Sequence, residues 1–277
     1  MKKYMPLVSV IMSVYNNERY VSQAIESILN QTFKKFEFII VNDESTDGSE
    51  KIIKHYSRKD KRIKYIQNKK NIGLTRSLNL LLGLCKGKYV VRMDSDDWAF
   101  PNRIEKQVDF LERNNNVVVC GGNIEVSGSN LEPLNYREYP VKDSEIRKLM
   151  FRFNPYAHPS VTYRLDSVRK AGLYDENLQL TQDYDLYFRL GRIGKLANVP
   201  DLVLKLRIHK DSLSMSKSRK QEMIALYTRL KAWVEYRYPV RFSDVFYTII
   251  QFFSMFFVPS TFKFWLFNFI RSKRKFS

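Results

Sequence analysis

The residues best suited to chemistry are three carboxylates that directly follow an apolar run. Residues 89–93 read Tyr-Val-Val-Arg-Met, which is typical of a buried strand, and Asp94, Asp96 and Asp97 come next. Ligands of open α/β sheets lie at the carboxyl ends of strands, and neighbouring carboxylates bind hard divalent cations, so the spacing predicts a metal site. A cation there could carry a diphosphate. The alternative is that these residues turn the chain and cap a helix near Pro101, the explanation that best suits Asp97.

Apolar runs and helical patterns alternate over the first hundred residues. The patterns predict strands at 7–14, 36–41, 62–66 and 88–93, with helices at 21–29, 49–58 and 74–85 between them. This alternation predicts a mostly parallel, doubly wound α/β sheet with right-handed crossovers. Because neither common glycine-rich phosphate motif follows the first strand, a nucleotide fold of this kind would hold a diphosphate through a metal.

Polar residues gather where the predicted strands end. They are Ser13, Tyr15 and Asn16 after the first strand, residues 43–47 after the second, and Asn71, Gly73 and Arg76 at the start of the third helix. Each group alone could be turn chemistry. Together with Asp94 and Asp96 they predict one crevice, in which a tyrosine face suits a nucleobase and an arginine near a helix start suits anionic oxygen.

Composition and charge limit the class of protein. The 277 residues are 44% hydrophobic, which suits one large α/β domain with an appendage and excludes a disordered chain. Cys85 and Cys120 have neither metal-ligand spacing nor disulfide density, so we expect a cytosolic protein. The short apolar run at the amino terminus lacks a small-residue cleavage site and is better explained as a first strand than as a signal peptide.

The end of the chain is both basic and aromatic. Of the formal net charge of +18, residues 202–277 carry +11, and residues 242–270 hold twelve aromatic residues. The apolar run before Pro259, residues 245–258, is fourteen residues long, which is shorter than the ~20 residues that a helix needs to cross a bilayer. We therefore expect two interfacial helices around Pro259 on an anionic membrane surface, and no nucleic acid partner. Alternatives are a solvated basic surface, or helices packed on the core or on another subunit of a homo-oligomer.

Four ordered sequence blocks resemble the family-two glycosyltransferases, which have the GT-A fold. They are Val8-Ser-Val-Ile-Met-Ser-Val-Tyr-Asn16, Phe38-Ile-Ile-Val-Asn-Asp-Glu-Ser-Thr-Asp-Gly48, Asn71-Ile-Gly-Leu-Thr-Arg-Ser-Leu-Asn79 and Arg92-Met-Asp-Ser-Asp-Asp-Trp-Ala-Phe-Pro-Asn-Arg103. Blocks at 154–160 and 182–190 extend the resemblance to about residue 215. It implies a GT-A-like domain over 1–215, built on a doubly wound mixed sheet flanked by helices. This domain would have a nucleotide-binding half at 1–100 and an acceptor half at 101–215. A basic, aromatic-rich helical tail at 216–277 completes the chain.

The resemblance assigns roles on the donor side. Tyr15 and Asp43 match positions that hold the nucleobase, Arg76 matches a residue near base or phosphate, and Asp94 matches one near ribose and metal. Asp96 matches the metal-binding second Asp of the family's D-x-D. Ser13, Asn16 and Ser95 belong to the same donor-binding blocks. The family pattern implies a UDP-sugar donor and Mg²⁺ or Mn²⁺, with the cation acting as a Lewis acid on the departing diphosphate.

The resemblance also implies a base on the acceptor side. Asp183 matches the last Asp of a Glu-Asp pair, the usual general base of an inverting displacement. Gln182 replaces the usual Glu, which puts in doubt any contact that this first carboxylate would make. The alternative is that residues 181–185 only cap a helix.

Three further residues match positions around the reacting groups. His209 resembles a late histidine that reaches the diphosphate or completes the metal shell, although it could be a plain loop residue. His158 lies in a block that lines the acceptor side. Trp98 follows the carboxylates and packs either beside the sugar or acceptor or in the core.

Together these features predict an inverting glycosyltransferase of bacterial cell-surface polysaccharide synthesis, peripheral on the cytoplasmic face of the membrane. It would move a sugar from a UDP donor to a hydroxyl of a glycan, and the tail alone suggests that this glycan is lipid-linked. A metal-dependent sugar nucleotidyltransferase is one alternative, but it would carry a Gly-rich, basic loop after the first strand. A non-catalytic membrane scaffold is another, and it leaves the D-x-D and Asp183 unexplained.

Overall fold

The computed structural model describes residues 6–178, 180–209, 219–258 and 262. Its strands are β1 (Val8–Val14), β2 (Phe36–Asn42), β3 (Ile63–Gln67), β4 (Tyr89–Asp94), β5 (Trp98–Ala99), β6 (Val117–Ser127), β7 (Pro133–Arg137), β8 (Thr162–Arg164) and β9 (Lys195–Arg207). Its α-helices are α1 (Val21–Leu29), α2 (Ser49–Lys59), α3 (Leu74–Leu84), α4 (Arg103–Arg113), α5 (Asp143–Leu149), α6 (Leu165–Lys170), α7 (Gln182–Ile193), α8 (Arg219–Val234) and α9 (Phe242–Phe257).

The amino-terminal half is a parallel α/β unit, as the sequence predicts. Strands β3, β2, β1 and β4 lie side by side in that order, all parallel, and α1, α2 and α3 connect them. Every residue of β2 is buried, as expected for parallel strands covered on both faces. The carboxyl ends of β1, β2 and β4 therefore meet at one edge.

The second half turns the sheet into a mixed one. Strand β8 pairs antiparallel with β4 and with β6, and the long strand β9 runs parallel to β6. The two-residue strand β5 pairs antiparallel with β9, and β7 pairs with β6. Because β5 follows β4 directly in the chain, this pairing brings the late part of β9 to the acidic residues after β4. The structure confirms the predicted mixed α/β sheet flanked by helices.

The carboxyl-terminal helices pack in succession from α7 outward. Helix α8 packs on α7, and α9 packs on α8. Helix α9 spans the first apolar run predicted there, whereas the expected second helix beyond Pro259 falls outside the described residues, except for Phe262. No helix within the described part of the chain is long and apolar enough to cross a membrane.

Candidate active site

The acidic cluster is built on the end of β4. Asp94, the last residue of this strand, lies beside Ser13 of β1 in the sheet register. The buried guanidinium of Arg92 holds the Asp94 carboxylate through two contacts of 2.5 Å. Because β4 alternates its side chains, positions 92 and 94 share one face, and a bidentate pair is the strongest arrangement that an arginine and a carboxylate can make. Sequence reasoning did not single out Arg92.

Asp96 and Asp97 complete the cluster from the loop that follows. Asp96 Oδ2 lies 3.0 Å from Nε2 of His209, so the structure brings together these two predicted metal ligands. Asp97 is buried, and its Oδ1 accepts a 2.9 Å hydrogen bond from the backbone N–H of Arg207. One carboxylate oxygen from each of Asp94, Asp96 and Asp97 lies within 4.8 Å of the other two.

The helix-capping explanation of these carboxylates is wrong. Helix α4 begins at Arg103, its N-cap is Asn102 without a side-chain hydrogen bond, and β5 separates it from the acidic residues. Asp97 does hold the loop, as expected, but it does so by joining the loop to β9.

The electrostatics of the cluster fit a bound cation. Burial raises the pKa of the Asp94 carboxyl against the opposing charge of Arg92, and the charge of Asp96 raises it further. Burial, followed by the charges of Asp96 and Asp94, raises the pKa of Asp97 well above its usual range. Among the described residues, Asp97 Oδ2 is buried without a hydrogen-bond partner. Crowded carboxylates with an unpaired oxygen suit a hard divalent cation such as Mg²⁺ or Mn²⁺.

Arg207 supports the acidic loop from β9. Its Nε donates to the backbone carbonyl of Asp96 at 2.6 Å, and its Nη2 donates to Gln23 Oε1 at 2.7 Å. The guanidinium also lies over the Tyr20 ring, 4.4 Å from the centroid. Sequence reasoning missed this residue, because the contact joins residues more than a hundred positions apart; the only local signal is an arginine two residues before His209.

The predicted donor residues around β1 divide into exposed and supporting groups. The Tyr15 side chain is 51% exposed at the sheet edge, where a planar ligand could stack on it. Asn16 instead joins two loops, because its Oδ1 accepts from the backbone N–H of Thr46 at 2.7 Å. The Ser95 hydroxyl accepts a 2.7 Å hydrogen bond from Asn17 Nδ2, which ties the acidic loop to the end of β1.

Asp43 and Arg76 lie on the same side of the sheet. Asp43 is buried after β2 and accepts hydrogen bonds from Asn68 Nδ2 at 2.7 Å and from the backbone N–H of Gly73 at 2.9 Å. Gly73 has a φ of +84°, a conformation that glycine adopts without strain, and α3 begins directly after it. Arg76, in the first turn of α3, pairs with Glu176 at 3.3 Å. Asp43 therefore shapes the loop that leads into α3, the helix that carries Arg76.

Asp183 lies in the first turn of α7, and its Oδ2 accepts a 2.7 Å hydrogen bond from Asn154 Nδ2. Burial raises the pKa of Asp183, against the lowering effects of the Tyr184 backbone N–H, the Asn154 amide and the charge of Arg92. The charge of Asp183 also contributes to the raised pKa of Asp94. Asn154 opens one of the resemblance blocks, but sequence reasoning gave it no role.

The structure agrees with part of the capping alternative for residues 181–185, because Asp183 and Asp185 both lie in the first turn of α7, where negative charge is favourable. Thr181 is the N-cap of α7 but makes no side-chain capping bond; its hydroxyl lies 2.7 Å from that of Thr228 in α8. Arg229 Nε donates to the Tyr184 hydroxyl at 3.0 Å, and the Tyr236 hydroxyl donates to Asp185 at 2.7 Å. The segment from α8 to Tyr236 therefore holds the turn on both sides of Asp183. The predicted boundary at residue 215, between the GT-A-like domain and the tail, stays a prediction.

The three residues predicted on the acceptor side have different surroundings. Gln182 is buried, and its Oε1 is without a hydrogen-bond partner among the described residues. His158 Nε2 lies 2.9 Å from the Tyr174 hydroxyl, and burial, followed by the charge of Arg92, holds the pKa of His158 well below its usual range. Trp98 is half-buried and packs edge-on against Phe100, with ring centroids 5.3 Å apart, and the Lys205 ammonium lies 5.6 Å from the centroid of the Trp98 ring.

The mixed sheet, with a parallel amino-terminal half that ends in a carboxylate cluster, has the GT-A-like fold that the sequence predicts. The sequence model described as "Glycosyl transferase family 2" matches residues 9–171, and the chain belongs to this family. The chain is therefore a glycosyltransferase, which removes the nucleotidyltransferase and scaffold alternatives.

Two relatives illustrate the similarity. The chain is 37% identical over 234 residues to the uncharacterized glycosyltransferase MJ1057 of Methanocaldococcus jannaschii, covering 82% of this chain and 80% of the relative. It is 32% identical over 210 residues to the amylovoran biosynthesis glycosyltransferase AmsE of Erwinia amylovora, covering 74% of this chain and 78% of AmsE.

Two solved structures share the fold. TarS of S. aureus, residues 1–349 in complex with UDP-GlcNAc, matches with a TM-score of 0.67 at 19% identity, covering 82% of this chain and 66% of that one. The mannosyltransferase PcManGT of Pyrobaculum calidifontis, in complex with GDP-Man and Mn²⁺, matches with a TM-score of 0.63 at 13% identity, covering 86% of this chain and 66% of that one.

Proposed function

We propose that the chain is an inverting glycosyltransferase that moves a sugar from a UDP-sugar to a hydroxyl of a lipid-linked glycan in cell-surface polysaccharide synthesis. One observation carries this proposal: one carboxylate oxygen from each of Asp94, Asp96 and Asp97 lies within 4.8 Å of the other two, with His209 Nε2 3.0 Å from Asp96 Oδ2. The name of AmsE supports a polysaccharide product, and the ligand of TarS supports a UDP-sugar.

The donor would lie across the ends of β1, β2 and β4. Tyr15 stacks on the base, Asp43 and the loop that it shapes receive the uracil edge, and Arg76 pairs with anionic oxygen. Ser13 and Ser95 line the floor beside Asp94, and Asn16 keeps the neighbouring loop in place. Asp96, Asp94 and His209 would hold Mg²⁺ or Mn²⁺, with the Asp97 oxygen close by. When bound, this cation supplies Lewis-acid neutralisation of the charge on the leaving diphosphate.

Asp183 would take the proton of the acceptor hydroxyl as that oxygen attacks the anomeric carbon from the face opposite the diphosphate. The bond from the sugar to the nucleotide breaks as the new glycosidic bond forms, and the proton passes to Asp183. A raised pKa suits this work, because it makes the carboxylate a stronger base than an exposed aspartate. Asn154 orients the base through its hydrogen bond, and Gln182, His158 and Trp98 line the acceptor side.

The acceptor and the location follow from the tail. Residues 242–277 would bind an anionic membrane surface on its cytoplasmic side, where a lipid-linked glycan is presented. The enzyme would be peripheral, with no nucleic acid partner, and a homo-oligomer is the alternative use of the same apolar sequence.

A donor screen tests the proposal. Purified protein with Mn²⁺ or Mg²⁺ is incubated with common UDP-sugars and, in parallel, with GDP-mannose, and the released nucleotide is measured. We expect metal-dependent release from one UDP-sugar. Release from GDP-mannose alone would overturn the UDP assignment, and no release from any sugar nucleotide would overturn the proposed reaction.

A further inference from the structure

Large apolar side chains are distributed very differently in two parts of the molecule. Within 6–209 the structure exposes five of them, whereas the described residues from 219 onward expose sixteen. Singly exposed apolar residues are normal, but a concentration of this kind marks an interaction surface.

Helix α9 has its polar stripe facing inward and its apolar face outward, which is the reverse of an ordinary surface helix. Its inward stripe is mostly polar and consists of Asp244, Thr248, Gln251 and Met255, spaced four, three and four residues apart. Asp244 is buried there against Arg241, with Nη2 to Oδ1 at 3.0 Å. The outward positions are instead phenylalanine, isoleucine, tyrosine and valine, apart from Ser243. A helix in water places its polar face outward, so the outward face of α9 is built for apolar surroundings.

Helix α8 has an outward apolar face as well. Met223, Tyr227, Leu230 and Val234 recur at spacings of four, three and four residues and are 53% to 64% exposed, and Trp233 beside them is 52% exposed. The inward side of the helix carries Thr228, Arg229 and Ala232. Arg229 joins the two helices on this inner side, because its Nη1 donates to Gln251 Oε1 at 2.5 Å. The apolar faces of both helices are thus left outward.

The positive charge of the carboxyl-terminal part of the sequence points to anionic lipid as the partner of these two apolar faces. Residues 202–277 hold 15 Lys and Arg against 4 Asp and Glu, a net charge of +11. A protein partner would need a matching apolar face with strongly acidic surroundings, and a second copy of this chain would bring the same positive charge to the contact. An anionic bilayer provides both an apolar layer and negative headgroups.

We propose that the outward faces of α8 and α9 form one surface that docks on an anionic lipid bilayer, with the five α8 residues as an essential part. This inference rests on the proposed function, and it extends the expected membrane contact beyond residues 242–277. Because the inner side of α8 holds the α7 turn around Asp183, docking places the bilayer on the side of the molecule that carries the base. A lipid-linked acceptor would then reach the site without leaving its membrane.

Vesicle binding of the full chain tests this surface. Co-sedimentation with vesicles of phosphatidylglycerol and phosphatidylcholine is compared for the wild type, for Leu230→Ser on α8 and for Leu134→Ser on β7 as a matched control, since Leu230 is 53% and Leu134 59% exposed. Because only Leu230 would be buried in the bilayer, we expect Leu230→Ser to weaken partitioning into the vesicles about tenfold and Leu134→Ser to leave it unchanged. Equal binding of all three proteins, or no vesicle binding by the wild type, would overturn the proposal.

Fluorescence locates the contact on α8. The sequence holds three tryptophans, so Trp98→Phe together with Trp265→Phe leaves Trp233 as the sole reporter. We expect brominated lipids in the same vesicles to quench its emission. An unquenched Trp233, or a dimer in sedimentation velocity that Leu230→Ser dissociates, would show that protein covers this face. Neither experiment depends on sugar transfer, so failure here and failure of the proposed reaction are separate results.

Discussion

The edge of the sheet and the carboxyl-terminal helices follow opposite rules. At the sheet edge, charged groups such as Arg92 and Asp97 are buried inside the α/β body. On α8 and α9, large apolar groups are exposed while Asp244 and Arg229 are buried against the body. Burying charges is costly unless chemistry or pairing requires it, and exposing aromatic groups is costly unless a partner covers them. The contrast supports the proposals that the first region carries out the reaction and that the second binds a partner.

Replacing the proposed base should produce the largest separation between the two regions. We expect Asp183→Asn to lower the turnover of sugar transfer by ~10²–10⁴-fold, because it removes the proton acceptor, and to leave vesicle binding unchanged. Steady-state transfer assays and co-sedimentation measure the two effects. Asp109→Asn, a change of an exposed residue on α4, serves as the control and should alter neither. Transfer at the wild-type rate by Asp183→Asn would contradict the assignment.

The acidic cluster gives the next largest effect. Asp96→Ala should reduce transfer by about 10²–10³-fold, because charge on the departing diphosphate is no longer neutralised in place. In a titration with MnCl₂, the activity of Asp96→Ala should depend less on the metal concentration than the activity of the wild type does. Asp166→Ala, a change of an exposed residue, should keep the wild-type titration curve. If Asp96→Ala kept full activity at every metal concentration, the D-x-D assignment would fail.

The raised pKa of Asp183 predicts the acidic side of the pH profile. Because transfer needs the ionised carboxylate, kcat should fall about tenfold per pH unit below that pKa, which lies above the ordinary 3.8.

The same raised pKa has the opposite effect on the stability of the fold. A carboxyl group whose pKa is higher in the folded than in the unfolded protein contributes stability below its unfolded-state pKa, and this contribution is lost as the pH rises through its folded-state pKa. Asp183→Asn should therefore unfold at a temperature no lower than that of the wild type at neutral pH. A clearly lower unfolding temperature would indicate a structural role.

Arg229 lies between the two regions and gives the smallest predicted effect. Its guanidinium joins Tyr184 of α7, Gln251 of α9 and the backbone carbonyl of Arg152. Arg229→Met should lower kcat about tenfold by loosening the turn that carries the base, with KM for the donor unchanged. Arg229→Lys, which keeps the charge and part of the hydrogen bonding, should recover some of this loss. Equal changes in kcat, KM and unfolding temperature would mean general destabilisation instead.

The amino-terminal fold was predictable because its signal is local. The predicted bounds of all seven elements from β1 to β4 agree with the structure to within one residue at each end, since apolar periodicity and adjacent turn residues fix such elements. The antiparallel insertion of β8 between β4 and β6 was not predictable in this way. Its three residues carry no distinctive pattern, and its position depends on pairing across seventy residues.

The candidate site was predictable in its residue types and less so in its supports. The sequence indicated Asp94, Asp96 and His209, and the structure brings them together. It gave no sign that Arg92 would pair with Asp94 or that Arg207 would hold the acidic loop, because a buried arginine looks like any other charge in the sequence. The carboxyl-terminal surface was predicted from composition, but the apolar face of α8 required the exposure of individual residues.

UDP affinity of the Asp183→Asn protein tests the central claim most directly, namely that the cluster after β4 holds the nucleotide while Asp183 moves the proton. Isothermal titration with UDP and Mn²⁺ is run on the same preparation used for the transfer assay. The account predicts a dissociation constant equal to that of the wild type while transfer is lost. A dissociation constant that rises in step with the lost rate would contradict it, because Asp183 would then be supporting the site and not acting as its base.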